Sequence, residues 1–165
     1  MKVIKEIIPY IIVIIAALLI RTFLVTPVKV DGTSMYPTLN DGEILILKKY
    51  DKSYKRFDVV VINYNGEKLV KRIIGLPGEN IKYKNNKLYI NGKKVDEPLE
   101  LETENFSLIN LGYNKIPDDH YLVLGDNRYN STDSRIIGLI KKEDILGVTN
   151  LRIWPFKKIG ILENA

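Results

Sequence analysis

Hydrophobic residues form one long apolar stretch near the amino terminus and only short runs over the rest of the chain. Residues 7–20 carry no charge, and extending the stretch to Val25 gives about 28 Å of helix. An apolar core of this size also suits a signal peptide, but no convincing small-x-small cleavage site follows it. We therefore predict a retained transmembrane anchor at 7–26. Basic residues flank both of its ends, so charge alone does not set the orientation, and we place a short tail, 1–6, in the cytoplasm.

Beyond the anchor, the pattern changes to short β-branched and aromatic runs separated by turn residues, which is typical of strands. The runs that predict strands lie at 43–47, 58–62, 69–74, 121–124 and 148–153. The run at 58–62 lacks alternation after its first residue, which predicts burial on both faces. The predicted fold class is mainly β, an antiparallel sheet preceded by one amino-terminal helix.

Residues 80–119 differ in pattern from the runs on either side. The runs at 81–84 and 87–90 are joined by Asn85 and Asn86, a pair that tolerates positive φ, which predicts an exposed hairpin. After a further tight turn, residues 96–114 are polar, acidic and irregular. We interpret 80–119 as a smaller inserted lobe of hairpin and loop.

Composition narrows the chemistry that this chain can perform. The 165 residues include no cysteine, which excludes disulfides and thiolate catalysis, and one histidine, which argues against a histidine metal cluster. We therefore expect no structural zinc. The net charge of +5 is interleaved with acidic residues rather than grouped in blocks, which favours an anionic membrane surface over nucleic acid as a partner.

The first of three polar clusters is Gly32-Thr33-Ser34-Met35-Tyr36-Pro37. Glycine before the serine and proline after it could present the hydroxyl on a strained turn, or simply form a solvated turn. Ser34 follows the apolar stretch by about nine residues, so it lies no more than roughly 30 Å from the bilayer. A substrate of Ser34 must therefore come to the membrane surface.

The second cluster begins with Lys71 and Arg72, neighbours in a predicted strand that point to opposite faces of the sheet. A lysine buried among apolar neighbours has a lowered pKa and becomes a usable base. The alternative is a pair of exposed cations on an edge strand.

The third cluster, 125–135, follows the predicted strand at 121–124 and is rich in short hydrogen-bonding side chains. This density at a strand end indicates a built site. The alternative is an Asx-rich loop in which Asp133 and Arg135 form an ordinary surface ion pair.

Taken in order, the three clusters resemble the signature boxes of bacterial type I signal peptidases. The matching residues are Gly32-x-Ser34-Met35-x-Pro37-Thr38-Leu39, Lys71-Arg72-x-x-Gly75-x-Pro77-Gly78-Glu79 and Gly125-Asp126-Asn127-Arg128-x-x-Ser131-x-Asp133-Ser134-Arg135. The resemblance includes the anchor and covers nearly the whole chain outside 80–119. It implies that 27–165 is an extracytoplasmic β-rich peptidase domain with the fold shared by signal peptidases and SOS repressors.

The resemblance implies a serine endopeptidase with a Ser/Lys dyad. Ser34 would attack the scissile carbonyl, and neutral Lys71 would take its proton and later protonate the leaving amine. Ser131 would hydrogen-bond to Lys71 and orient it. The residues expected to support the site are Asp133, Arg135, Asp126 and Arg72.

The same resemblance assigns oxyanion and substrate contacts. The backbone N–H of Ser34 would donate to the oxyanion. Some members of the family place a second donor, a serine, two positions earlier, where this chain has Gly32; Thr33, a backbone amide or water would have to replace it. Met35 would line the substrate pocket.

The resemblance also implies the substrate and the location. The substrates would be exported preproteins cleaved on the outer face of the cytoplasmic membrane, after small residues at the first and third positions before the bond. Membrane lipid would be the other partner, and no metal, nucleotide or redox cofactor would be needed.

Three alternatives compete with this interpretation. His120 with a nearby aspartate could complete a Ser/His/Asp triad with Ser34. A self-cleaving peptidase of the SOS-repressor type shares the dyad and a β-rich fold, but it would carry an amino-terminal DNA-binding domain where this chain has an apolar stretch. A noncatalytic, membrane-tethered β domain that binds exported or membrane proteins would use all three clusters as loops.

Overall fold

The computed structural model describes residues 2–162. Met1, in the predicted tail, and residues 163–165, at the end of the predicted peptidase domain, lie outside the described residues. Within 2–162 the chain forms two α-helices, α1 (Lys2–Leu19) and α2 (Ser134–Ile137), and twelve β-strands. The strands are β1 (Val25–Lys29), β2 (Ile44–Lys48), β3 (Val59–Tyr64), β4 (Glu67–Gly75), β5 (Ile81–Lys84), β6 (Lys87–Ile90), β7 (Lys93–Val95), β8 (Phe106–Ser107), β9 (His120–Leu124), β10 (Ile140–Lys141), β11 (Ile145–Trp154) and β12 (Gly160–Ile161).

The apolar amino-terminal stretch is helical, but its bounds differ from the predicted 7–26. Helix α1 is followed by a π-helical turn, Ile20–Leu24, and strand β1 then begins at Val25. Val25 and Thr26 are therefore not part of a helix: they pair with Lys48 and Leu47 of β2, where β-branched side chains are well accommodated. In the part of the chain described, no helix is both long enough and apolar enough to span a membrane.

The main antiparallel sheet has the strand order β1-β2-β11-β3-β4-β9-β10, with β12 paired to β11, so some neighbouring strands are far apart in the sequence. The five predicted strands are confirmed as β2, β3, β4, β9 and β11, with ends shifted by at most three residues. Strand β3 lies inside the sheet between β11 and β4, and Val59–Ile62 have no exposed surface, as their unbroken apolar run predicted. The register places Lys71 of β4 opposite Val60 in this dry interior.

A second sheet, here called the small sheet, forms from β5 to β8 in the order β7-β6-β5-β8. The predicted hairpin is present, and Asn85 and Asn86 both have positive φ at its tip. It is not simply exposed, however. Ile81, Tyr83 and Leu88 are buried because alternate residues of the hairpin pack with Leu122 and Leu124 of β9 and their neighbours. Irregular residues 96–105 connect β7 to β8 and pass beside this hairpin.

Candidate active site

The turn that carries Ser34 lies between β1 and β2. The N–H of Tyr36 donates to the carbonyl of Thr33 over 3.1 Å, and this contact closes a tight turn around the serine. Gly32 precedes the turn with φ +82°, a left-handed conformation that glycine adopts without strain. Ser34 itself is half-buried.

Both cations of the second cluster are buried, on opposite faces of β4. Lys71 is 2% exposed and Arg72 is 1% exposed, which excludes the alternative of a solvated edge-strand pair. The Nζ of Lys71 donates to Ser34 Oγ over 2.8 Å and to the carbonyl of Val70 over 3.0 Å. A potential nucleophile and a potential base are thus in direct hydrogen-bond contact.

Burial changes the acid–base behaviour of Lys71. Desolvation lowers its pKa to about 8, and the more distant carboxylates of Asp133 and Asp126 only partly oppose this. At pH 7 about one amine in ten is then neutral, compared with roughly one in three thousand at the ordinary pKa of a lysine. The strand position therefore turns an ordinary cation into a usable proton acceptor.

The third cluster holds the nucleophile turn from its other side. The N–H of Asn127 donates to the carbonyl of Ser34 over 3.0 Å, and its side-chain amide donates to the carbonyl of Thr33 over 3.1 Å. The amide of Asn130 reaches the hydroxyl of Thr33 over 3.3 Å. Neither asparagine was assigned a role from the sequence, although Asn127 directly follows the glycine and aspartate of the same cluster, and this position is a signal that could have found it.

Gly125 is the point where the two loops touch. A Cβ at this position would lie 2.5 Å from the carbonyl oxygen of Ser34 and 2.2 Å from Ser131 Oγ, closer than real contacts allow. The N–H of Gly125 donates to the carboxylate of Asp133 over 3.0 Å. The absence of a side chain therefore permits the close approach of Ser34 and the third cluster.

Asp133 braces the third cluster from within. It is fully buried, caps helix α2 and receives hydrogen bonds from Nε and Nη2 of Arg135 at 2.9 and 2.8 Å. Burial alone would raise the pKa of Asp133, but these bonds and that from Gly125 outweigh it and lower the pKa below its usual range. The carboxylate is therefore a fixed negative charge and its pairing with Arg135 is not an ordinary surface contact.

Arg72 and Asp126 form a second buried pair. Nε and Nη2 of Arg72 each donate to a different oxygen of Asp126 over 2.8 Å, in the bidentate geometry that suits a guanidinium and a carboxylate. Thr38, just after the nucleophile turn, donates to the same carboxylate. This pair ties β4, the nucleophile turn and the third cluster together.

The geometry and the comparisons with known proteins agree. The family profile described as "Signal peptidase, peptidase S26" matches residues 3–154. The chain belongs to the signal peptidase family, peptidase S26. Its resemblance to bacterial type I signal peptidases is thereby confirmed.

Individual members of this family are similar over most of their length. A signal peptidase I of Bacillus amyloliquefaciens is 46% identical over 160 residues, covering 90% of this chain and 86% of the relative. Signal peptidase I S of Bacillus subtilis is 44% identical over 161 residues, covering 90% and 88%. The crystal structure of a signal peptidase I from Enterococcus faecalis matches with a TM-score of 0.55 and 35% identity, covering 58% of this chain and 96% of that one.

Two side chains of this signal peptidase family member do not make the contacts predicted for them. Ser131 Oγ is buried and, within residues 2–162, makes no hydrogen bond of ordinary geometry; the hydroxyl packs against Gly125 and beside Asp133 rather than bonding to Lys71. Met35 is 1% exposed and packs in the core, so it does not present its side chain to a substrate in this conformation. Alternation in the turn sends Met35 inward and leaves Tyr36 57% exposed beside Ser34.

Within the described residues, His120 does not form a Ser/His/Asp triad with Ser34. His120 starts β9, whereas the third cluster follows the end of that strand, roughly 16 Å farther along. Its Nδ1 contacts the backbone carbonyl of Asp118 over 2.9 Å. A catalytic role of His120 with Ser34 was therefore the wrong alternative.

A cavity of about 620 Å³ opens beside the nucleophile turn, where Pro37 and Thr38 meet Ile159 and Ile161 near the end of the chain. Neither Ser34 nor Lys71 lines it. The cavity is thus adjacent to the Ser34–Lys71 contact but separate from it.

Proposed function

We propose that this chain is a membrane-anchored serine endopeptidase that removes signal peptides from exported preproteins, with Ser34 as nucleophile and Lys71 as general base. The observation that carries the proposal is the 2.8 Å contact between Lys71 Nζ and Ser34 Oγ, made by a lysine that is 2% exposed. A solvated turn or a noncatalytic binding loop needs neither the contact nor the buried amine.

The chemistry follows from this pair. Neutral Lys71 accepts the proton of the Ser34 hydroxyl as Oγ attacks the scissile carbonyl, and the resulting ammonium then protonates the leaving amine. Water, deprotonated in turn by Lys71, hydrolyses the acyl-enzyme ester and regenerates the serine. Each step needs only one proton acceptor, so no second ionisable group has to be invoked.

The oxyanion contacts are assigned to the nucleophile turn. The N–H of Ser34 is one donor. Thr33 is the second: its hydroxyl accepts from Asn130, which leaves its own O–H to donate, and the left-handed φ of Gly32 would strain a serine placed there instead.

The supporting residues act by holding charge and position. Asp133 with Arg135, and Asp126 with Arg72, fix the third cluster and β4. Ser131, whose buried hydroxyl lies in the same cluster, is proposed to turn toward Lys71, hydrogen-bond to its amine and so orient that amine toward Ser34. Met35 shapes the site from below as core packing rather than as an exposed lining residue.

The membrane part of the proposal rests on helix α1. Between Ile7 and Leu19 its large apolar side chains are exposed on all sides of the helix, and such a helix is stable when lipid covers it. We propose that it anchors the chain with the 27–165 domain outside the cytoplasmic membrane and residues 80–119 as its smaller lobe. The relatives are named signal peptidase I, so the proposed substrates are preproteins with small residues at the first and third positions before the bond.

The test is cleavage of a preprotein with an Ala-x-Ala site by the full chain in lipid vesicles, followed by sequencing of the product amino terminus. Ser34→Ala and Lys71→Ala should each lower kcat by about 10⁴-fold or more, because each removes one half of the dyad. Ser53→Ala and Lys82→Ala, at exposed positions, are the matched controls. Cleavage by Lys71→Ala at the rate of the unaltered chain would reject the dyad.

A further inference from the structure

The Arg128 side chain links the third cluster to the small sheet. Its Nε donates to the carbonyl of Gly125 over 3.1 Å, on the cluster that holds the nucleophile turn. Its other nitrogens reach across to the small-sheet side, where Nη1 donates to Tyr83 Oη at 3.1 Å and to Thr103 Oγ1 at 2.6 Å, and Nη2 pairs with the carboxylate of Glu97. One guanidinium thus contacts both parts of the molecule.

Burial makes Glu97 the decisive partner in this set. The side chain of Arg128 is 2% exposed and that of Glu97 is 8% exposed. A buried guanidinium without a counterion is strongly unfavourable, whereas the hydroxyls of Tyr83 and Thr103 can satisfy hydrogen bonds but not the charge. Arg128 therefore occupies this position because Glu97 is there, on the irregular segment that follows β7.

The position of Arg128 matters for Ser34 through Gly125. The carbonyl of Gly125 is held by Arg128, and its Cα packs so closely under the carbonyl of Ser34 that no side chain fits between them. Two residues on, the N–H of Asn127 donates to that same Ser34 carbonyl. Movement of the loop would therefore move the nucleophile.

We propose that Glu97 is a positioning residue of the peptidase: through Arg128 it fixes Gly125 and Asn127, and thereby the placement of Ser34. The small sheet thus supports catalysis indirectly, by holding the third cluster in place. This inference rests on the proposed function, because positioning has a catalytic meaning only if Ser34 is the nucleophile.

The test compares Glu97→Gln with the control Glu100→Gln, the same change at an exposed site in the same segment. Glu97→Gln should lower kcat by about tenfold or more with KM nearly unchanged, since a displacement of about 1 Å costs up to about a hundredfold in rate. Rates are corrected for the folded fraction from thermal melts. Tyr83→Phe, which removes one hydroxyl and no charge, should show a smaller loss in kcat and keeps the test decisive if Glu97→Gln does not fold.

A second readout does not depend on catalysis. Amide hydrogen exchange at Gly125 and Asn127 should become faster in Glu97→Gln, or in Tyr83→Phe, and stay unchanged in Glu100→Gln. The positioning role would be overturned if folded Glu97→Gln kept the kcat of the unaltered protein. It would also be overturned if Glu97→Gln or Tyr83→Phe turned over more slowly without faster exchange at these two amides. If the unaltered chain cleaves no preprotein, the proposed function fails by that result, and the exchange data alone decide whether Glu97 holds the loop.

Discussion

Replacing Lys71 with methionine should abolish cleavage and yet make the protein more stable at neutral pH. The pKa of Lys71 falls from 10.5 to about 8 because burial disfavours the ammonium. At about 1.4 kcal/mol per pKa unit, keeping the charged amine in the folded protein costs roughly 3 kcal/mol at pH 7. Methionine has a similar length and no charge, so it removes this cost. The loss of the hydrogen bonds to Ser34 and to the Val70 carbonyl offsets about 1 to 2 kcal/mol of the gain.

The pH dependence separates these contributions. Between pH 8 and 10.5 the unfolded chain binds a proton at Lys71 that the folded chain does not, so the stability of the unaltered protein rises with pH in this window. Lys71→Met lacks this rise. The difference in free energy of unfolding between the two proteins should therefore shift by roughly 3 kcal/mol in favour of the unaltered protein from pH 7 to pH 10.5.

Urea unfolding of the full chain in detergent, at several pH values, measures this difference. Lys82→Met, at an exposed position of β5, controls for the removal of a lysine charge as such. A difference between Lys71→Met and the unaltered protein that stays constant from pH 7 to 10.5 would refute the argument, because it would mean that the Lys71 amine is not desolvated.

Two further predictions concern turnover. The rate kcat/KM should rise about tenfold per pH unit below pH 8 and level off above it, as neutral Lys71 becomes available; a profile that is flat from pH 6 to 8 would contradict a lysine base. Gly125→Ala should reduce kcat by about a hundredfold, because the added methyl group would lie 2.5 Å from the carbonyl of Ser34 and 2.2 Å from Ser131 Oγ and must push the two loops apart. Gly160→Ala, where a Cβ meets no atom within 4 Å, is the control, and equal activity of the two variants would argue against a need for this close contact.

The sequence predicted the strands of the main sheet well because their signal is local. Unbroken or alternating apolar runs specify a strand by themselves, as at 58–62, and the structure moves only the ends. The sequence also indicated that Lys71 and Arg72 point to opposite faces of one strand. The end of the amino-terminal helix was less predictable, because Val25 and Thr26 are uncharged and continue the apolar stretch without a break. They form a strand only because they pair with β2.

Contacts between segments far apart in the chain could not be predicted from the sequence. Nothing near Glu97 indicates that its carboxylate will meet Arg128, since the irregular segment between β7 and β8 has no period that fixes its direction. The inward turn of Met35 has the same origin: it depends on core neighbours contributed by β2 and β3, not on its own flanking residues. The resemblance to a family supplied candidate residues, but their hydrogen-bond partners could be identified only from the structure.

The two buried cations of β4 show how one strand can hold a fixed charge and a base side by side. Arg72 has both oxygens of Asp126 at 2.8 Å, so its charge is compensated within the protein. Lys71 instead donates to a hydroxyl and a backbone carbonyl, which accept two of its three N–H groups but do not compensate its charge. A carboxylate in direct contact with Lys71 would stabilise the ammonium, raise the pKa and reduce the neutral fraction that can accept the serine proton. Within residues 2–162, the arginine of β4 therefore has a carboxylate in direct contact and the lysine has none. The resulting free-energy cost of a charged amine at Lys71 is a requirement of the proposed chemistry.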